Sequence, residues 1–174
     1  EYPQMIENLD KGILDLIITP QMIVQNTIDY QAFSSETIVL IGGNKIDLNT
    51  FNILKKQNDF EKIEHWLKEQ KWYGTTGDME HLKRFWQLNF NKNADFRPNY
   101  IVPNLNSIVR CLSNSTGLAV MPDFLCKTAL ESGKIKLLWQ GKTPLKNTLY
   151  FAHKKKTIYT DEIKLIKETF MKIM

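Results

Sequence analysis

The sequence predicts an α/β fold. Three observations carry this. Apolar runs of strand length alternate with segments whose apolar residues recur every three or four positions. Glycine or proline punctuates most of the changes from one to the other. From Lys71 to Met121 the alternation becomes a regular β-α-β-α-β. Right-handed crossovers make such strands parallel in one sheet.

Met5, Ile6 and Leu9 mark one face of a short helix starting near Pro3, a residue tolerated in a first helical turn, and Gly12 stops it. Residues 13–18, with LDLII at their heart, form a nearly continuous apolar run, as expected of a strand covered on both faces. Thr19-Pro20 ends it. Residues 33–42 hold a second strand, TIVLI, closed by Gly42-Gly43. The pattern over 44–58 is mixed, and no element is assigned there. Asp59 caps a helix whose apolar face is Phe60, Ile63, Trp66 and Leu67. A short strand follows at 71–76, then a helix at 78–89 with Met79, Leu82, Phe85 and Trp86 on one side, and a strand at 97–102. The helix at 105–115 places Leu105, Ile108, Val109 and Leu112 at i, i+3, i+4 and i+7. Gly117 breaks it, and the strand LAVM is stopped by Pro122. A helix at 123–132 ends at Gly133. Strands at 135–139 and 149–153 flank a polar connection. Thr160 caps a last helix with Asp161 and Glu162 in its first turn, where the helix dipole favours acids. Its apolar stripe is Ile163, Ile166, Phe170 and Ile173. No internal repeat or low-complexity segment is visible.

Composition narrows the function. Apolar residues make up 43% and charged residues 24%, the profile of a globular chain and not of a disordered one. No apolar run approaches the ~20 residues that span a bilayer, so no membrane partner is expected. The opening Glu-Tyr-Pro-Gln lacks the basic and apolar regions of a signal peptide. The net charge is +4. Its one dense run, His153-Lys154-Lys155-Lys156, reads as a solvated strand end, so direct DNA binding is not inferred from it. Cys111 and Cys126 are too few for a disulfide framework. Both fall on predicted helices beside apolar neighbours, which reads as buried structural thiols in a reducing, cytoplasmic setting.

No catalytic, cofactor or metal signature stands out. His65, His81 and His153 are far apart, and none sits in HExxH or near a cysteine pair. Asp78-Met79-Glu80-His81 occupies consecutive helical positions that point in different directions, as in a solvated first turn. No GxSxG, P-loop or GxGxxG is present, and neither cysteine has a histidine nearby in sequence. An enzyme, a metal and a cofactor are therefore not expected. Polar geometry at strand ends does stand out. In open parallel sheets, ligands sit beyond the carboxyl ends of the strands. Three such ends are polar or contain proline: Thr19-Pro20, Thr75-Thr76-Gly77 and Pro103-Asn104. Two of them lead directly into helices, whose free N–H groups suit a carboxylate or phosphate. Each Thr or Asn alone is an ordinary cap. Three polar ends around one sheet edge point to a small anionic or polar ligand.

The stretch Val102-Pro103-Asn104-Leu105 through Gly117-Leu118-Ala119-Val120-Met121-Pro122-Asp123-Phe124-Leu125 resembles the effector-binding domain of LysR-type transcription regulators, with its "VPNL", apolar helix and "GLAVLPDYL". Further segments match in order. Asn8-Leu9-Asp10-Lys11-Gly12-Ile13-Leu14-Asp15-Leu16-Ile17-Ile18 resembles "L-x-x-G-x-LDLAI", and Glu36-Thr37-Ile38-Val39-Leu40-Ile41 resembles "E-x-LVLV". Leu149-Tyr150-Phe151-Ala152-His153-Lys154-Lys155 resembles "LYLAxRK". A fifth segment, from His65-Trp66-Leu67 through Trp72-Tyr73 to Lys83-Arg84-Phe85-Trp86, is similar to a subgroup pattern.

The resemblance implies a type 2 periplasmic-binding-protein-like fold, two lobes with a central cleft and two hinge crossings. Residues 1–36 and 147–174 would form lobe one and 37–146 lobe two, with crossings near Glu36 and Asn147. Ligand would bind in the cleft, and lobe closure would carry the signal. The implied function is effector binding in a transcription factor, with DNA contacted through a helix-turn-helix domain that these residues do not contain. The family also opens its effector domain with a strand, a helix and a strand before the part matched here, so the sequence reads as N-terminally truncated. The implied partners are a small-molecule effector and further copies of the chain, as a homodimer or homotetramer. Carried over residue by residue, the site comprises Thr19 and Pro20 in lobe one, with Thr75, Thr76, Gly77, Pro103, Asn104 and Pro122 in lobe two. A periplasmic solute-binding protein and an enzyme on the same scaffold are the competing readings. The face of Met5, Ile6 and Leu9 would serve either packing on its own lobe or a dimer interface.

Overall fold

A computed structural model describes residues 2–75 and 79–173. In chain order the elements are α1 (Tyr2–Asp10), β1 (Leu16–Thr19), β2 (Ile28–Gly43), α2 (Asn49–Gln57), α3 (Phe60–Lys68), β3 (Tyr73–Thr75), α4 (Glu80–Phe90), β4 (Tyr100–Val102), α5 (Leu105–Leu112), β5 (Leu118–Pro122), α6 (Asp123–Glu131), β6 (Ile135–Trp139), β7 (Leu145–Lys154) and α7 (Thr160–Ile173). The chain divides into two compact units, 1–36 with 147–174 and 37–146. β2 and β7 both run through the division.

In unit 1, β1 pairs antiparallel with β7, from Leu16↔His153 to Thr19↔Tyr150, and β7 lies beside β2. Ile6 and Leu9 of α1 are buried with Ile17, Ile28 and Ala152, so that face packs on its own unit. Gly12 ends α1 with φ +73°, a left-handed conformation that glycine adopts without steric cost. β1 is shorter than the LDLII run suggests. Ile17 and Thr19 are buried, Leu16 and Ile18 are half-buried, and Ile13 lies outside the strand at 67% exposure. β2 begins at Ile28, five residues before the strand expected from Phe33, because Asp29, Gln31 and Ala32 are exposed and break the apolar pattern. On α7 only Ile163 of the expected stripe is buried, while Ile166 and Phe170 are each 41% exposed. The side chain of Ile173 lies outside the described residues.

Unit 2 is built on the second half of β2. It pairs antiparallel with β5, from Ile38↔Pro122 to Gly42↔Leu118, and with β6, with a register shift between Leu40 and Ile41. Ile38, Leu40, Leu118 and Val120 enter one core with Phe51, Ile63, Leu67, Phe85 and Trp86 of α2, α3 and α4. Val39, Ile41, Ala119 and Met121 enter a second core with Ile108 and Leu112 of α5 and Cys126 and Ala129 of α6. Burial on both faces explains why these strands read as unbroken apolar runs. α2, unassigned from sequence, buries only Phe51 completely, too little to leave a periodic signature. Asp59 Oδ1 accepts from Lys62 N at 3.1 Å and caps α3 as expected.

Two expectations are corrected. β3, β4 and β5 do not form one parallel sheet. β3 and β4 pair in parallel as a separate two-stranded sheet, and a single parallel bridge, Trp72↔Leu118, links this edge to β5. β5 takes its ladder from β2 instead, because five positions pair there against one bridge. Of the two cysteines expected to be buried, one is exposed. Cys126 is buried, and its thiol is pushed up to about 12 by burial and by Asp123. Cys111 is exposed, since the buried stripe of α5 is Ile108 and Leu112. No helix among the described residues is long and apolar enough to cross a membrane.

Candidate functional site

The carboxyl ends of β3 and β4 lie side by side. Tyr73 pairs with Tyr100, Gly74 with Ile101 and Thr75 with Val102. The segment is pinned from several directions. Trp72 N donates to Asn99 Oδ1 at 2.7 Å, Trp72 Nε1 to Leu67 O at 2.8 Å, and Tyr100 N to Trp72 O at 3.0 Å. The Tyr73 and Tyr100 rings stack at 4.8 Å, and the Tyr73 hydroxyl lies 3.3 Å from Ser115 Oγ.

β4 passes through Pro103 and Asn104 into α5. Asn104 is extended, and its Oδ1 accepts from Ser107 N at 2.9 Å and from Ser107 Oγ at 3.1 Å. Its carbonyl-type oxygen is therefore occupied by the cap. α5 carries no acidic residue in its first turn to balance the positive end of its dipole. This end of unit 2 thus combines two strand ends, the half-buried Thr75 and an uncompensated helix N-terminus. The arrangement suits a small anion.

The other expected residues are placed differently. Thr76 and Gly77 lie outside the described residues. Thr19 is fully buried, and its hydroxyl both donates to Gln21 O and accepts from Gln21 N, each at 3.1 Å, so it is spent on its own turn. Pro20 is half-buried. Thr19 and Pro20 belong to unit 1, whereas Thr75, Pro103, Asn104 and Pro122 belong to unit 2. β1 shares a sheet with β7, and β3 with β4, so the three polar strand ends do not stand on one sheet edge. Pro122 is buried as the last residue of β5 and pairs with Ile38. The residue after it, Asp123, was not among the expected site residues. Its Oδ1 accepts from Thr37 N at 3.1 Å and from Phe124 N at 2.9 Å, tying the entry of β2 into unit 2 to the start of α6. The acid in a first helical turn was its one sequence signal. Among the described residues, no group of three or more His, Cys, Asp or Glu side chains could hold a metal.

Known proteins resemble this chain in sequence and in structure. The HTH-type transcriptional regulator AbaB of Streptomyces antibioticus is 33% identical over 69 residues, 40% of this chain and 23% of that regulator. The bromide-bound regulatory domain of HypT from Salmonella typhimurium is similar with a TM-score of 0.71 at 10% identity, covering 99% of this chain and 79% of that one. The regulatory domain of CcmR from Synechocystis, in complex with 2-PG, gives 0.68 at 13% identity, covering 98% and 78%. The regulatory domain of MetR, a LysR family regulator from N. meningitidis, gives 0.63 at 19% identity, covering 93% and 72%. At these identities the likeness is one of fold, the type 2 periplasmic-binding-like fold of LysR regulatory domains. A model of the LysR substrate binding domain matches residues 1–166, so the chain belongs to that family of effector-binding domains.

Proposed function

We propose that this chain is the sensing part of a LysR-type transcription regulator, and that it binds a small anionic metabolite at the carboxyl ends of β3 and β4. The observation that carries this is the pairing of Thr75 with Val102 directly before Pro103-Asn104 and the uncompensated start of α5. Backbone N–H groups there offer donors to a carboxylate or phosphate at no cost in side-chain entropy. Thr75, Thr76 and Gly77 would close one side, Pro103 and Asn104 the other, with Pro122 positioning the neighbouring strand. In the HypT and CcmR regulatory domains the bound species are bromide and 2-PG. The DNA-binding role, the cytoplasmic setting and assembly as a homodimer or homotetramer follow for the whole regulator. The chain performs no catalysis in this reading, since the family is one of regulatory domains.

A thermal-shift screen of small carboxylates and phosphates tests the site on wild type, Thr75→Val, Thr76→Val and Asn104→Ala. A hit should raise Tm in wild type and less in the threonine variants. Equal shifts in all four proteins would remove this end of unit 2 from the site.

A further inference from the structure

Unit 1 has a concave surface of its own. It lies between α7 and the far end of β7, where β1 starts rather than where it ends, because Leu16 pairs with His153 and Thr19 with Tyr150. The hollow measures about 420 Å³, within the roughly 300–1,000 Å³ of small-molecule sites. Buried Ile163 lines it, with the cations Lys155, Lys164 and Lys167 around it. His153, Thr157 and Thr160 add hydrogen-bonding groups. Among the described residues, Glu168 is the one carboxylate of the lining.

The charges of this hollow are not balanced from within. Among the described residues, no ion pair involves Lys155, Lys164 or Lys167. The contrast is with a cavity of about 330 Å³ in unit 2, lined in part by Glu64 and Lys92, where Glu64 pairs with Lys92 at 2.6 Å and with Lys68 at 3.0 Å. Lys167 instead donates to the neutral Oε1 of Gln31 at 3.0 Å. Burial pushes its pKa down, against the pull of Asp29. A partly desolvated ammonium without a bound carboxylate is unfavourable, and an anion placed beside it offsets that cost.

We infer that this hollow of unit 1 binds a small dianion, a phosphate or a dicarboxylate, between Lys164 and Lys167 of α7 and Lys155 at the end of β7. The site is separate from the strand ends of unit 2 and does not depend on them. Two negative charges on one small head group match the three lysine ammoniums of the lining, which one monoanion would leave in excess. Such a ligand would tie α7 to β7 across unit 1.

Isothermal titration calorimetry of the 174-residue chain with inorganic phosphate and with succinate, at ionic strength below about 0.05 M to limit screening, tests this. At least one probe should bind saturably at one site. Lys164→Gln and Lys167→Gln should each weaken it about tenfold, the scale of one charged hydrogen bond, while Lys167→Arg keeps the charge and the binding, and Lys127→Gln on α6, outside the lining, leaves it nearly unchanged. Binding of phosphate alone identifies a phosphoryl ligand, of succinate alone a dicarboxylate, and of both a site that reads charge. Absence of saturable heat with either probe overturns the inference. So does an affinity equal to wild type in both Lys→Gln variants, or a loss confined to Thr75→Val, which would assign the anion to unit 2. Circular dichroism melts of the variants separate a lost site from a lost fold.

Discussion

Glu64 is only 5% exposed, yet it is charged, and its neighbours explain how. Burial pushes its carboxyl pKa up, but hydrogen bonds and charge from Lys92 and Lys68 outweigh this and hold it below the ordinary value of 4.5. A carboxylate with a depressed folded pKa stabilises the native state above its unfolded value, and that stability is lost as pH falls through the folded value. Wild type should therefore melt above Glu64→Gln at pH 7, and the gap in Tm should close as pH drops below 4.5. A constant gap would mean that Glu64 contributes by packing alone. Two buried tryptophans make a matched pair at the same scale. Trp72 Nε1 donates to Leu67 O at 2.8 Å, whereas Trp86 Nε1 is buried with no hydrogen-bond acceptor among the described residues. Trp72→Phe orphans a carbonyl and should cost about 1 kcal/mol more than Trp86→Phe in urea unfolding. Asn104→Ala removes the α5 cap and should cost about 1 kcal/mol by the same measurement.

At the scale of elements, the close approach of β2 to the end of α5 is the tightest constraint. A Cβ on Gly43 would stand 2.0 Å from Ser115 O and 2.8 Å from Leu112 O, both backbone atoms that cannot move independently of the helix end. Gly43 N also donates to Gly117 O at 2.9 Å. Gly43→Ala should destabilise by about 3 kcal/mol, at the upper end of overpacking costs. A melt within a degree or two of wild type would show that the α5–β5 turn yields. The aromatic packing around Trp139 binds other elements together. Phe51, Phe60, Phe85 and Phe90 place their rings 5.9–6.5 Å from it. α2, α3, α4 and β6 thus share one apolar contact centre, although none of them is adjacent to all the others in sequence.

At the scale of the molecule, the two units are made differently. Unit 2 is one continuous segment, 37–146, with its own cores on both faces of its strands. Unit 1 is assembled from residues 1–36 and 147–174, and its core is smaller. Closing the two chain ends around a folded insertion costs little beyond loop-closure entropy. The segment 37–146 expressed alone should therefore fold cooperatively, giving a dispersed amide NMR spectrum and a single sigmoidal urea transition. A collapsed spectrum would make unit 2 dependent on unit 1.

The sequence by itself determined most of the elements, because burial on one or two faces writes a period into the chain. Leu118-Ala119-Val120-Met121 and Ile38 to Ile41 read as strands for that reason, and Ile108 with Leu112 as the buried stripe of a helix. It also carried the family, through Val102 to Pro122, and Asn104 as a helix cap. Elements with few buried residues, α2 and the first half of β2, left no such period. Only the tertiary structure decided the partners of each strand. β5 joins β2 antiparallel instead of β3 and β4, and Thr75 pairs with Val102 directly before Pro103-Asn104, while Thr19 is spent on Gln21. It alone exposed Cys111 and gathered Lys155, Lys164 and Lys167 around one hollow. The physical reason is that periodicity records how much of a residue is buried, whereas pairing and proximity depend on which distant residues do the burying.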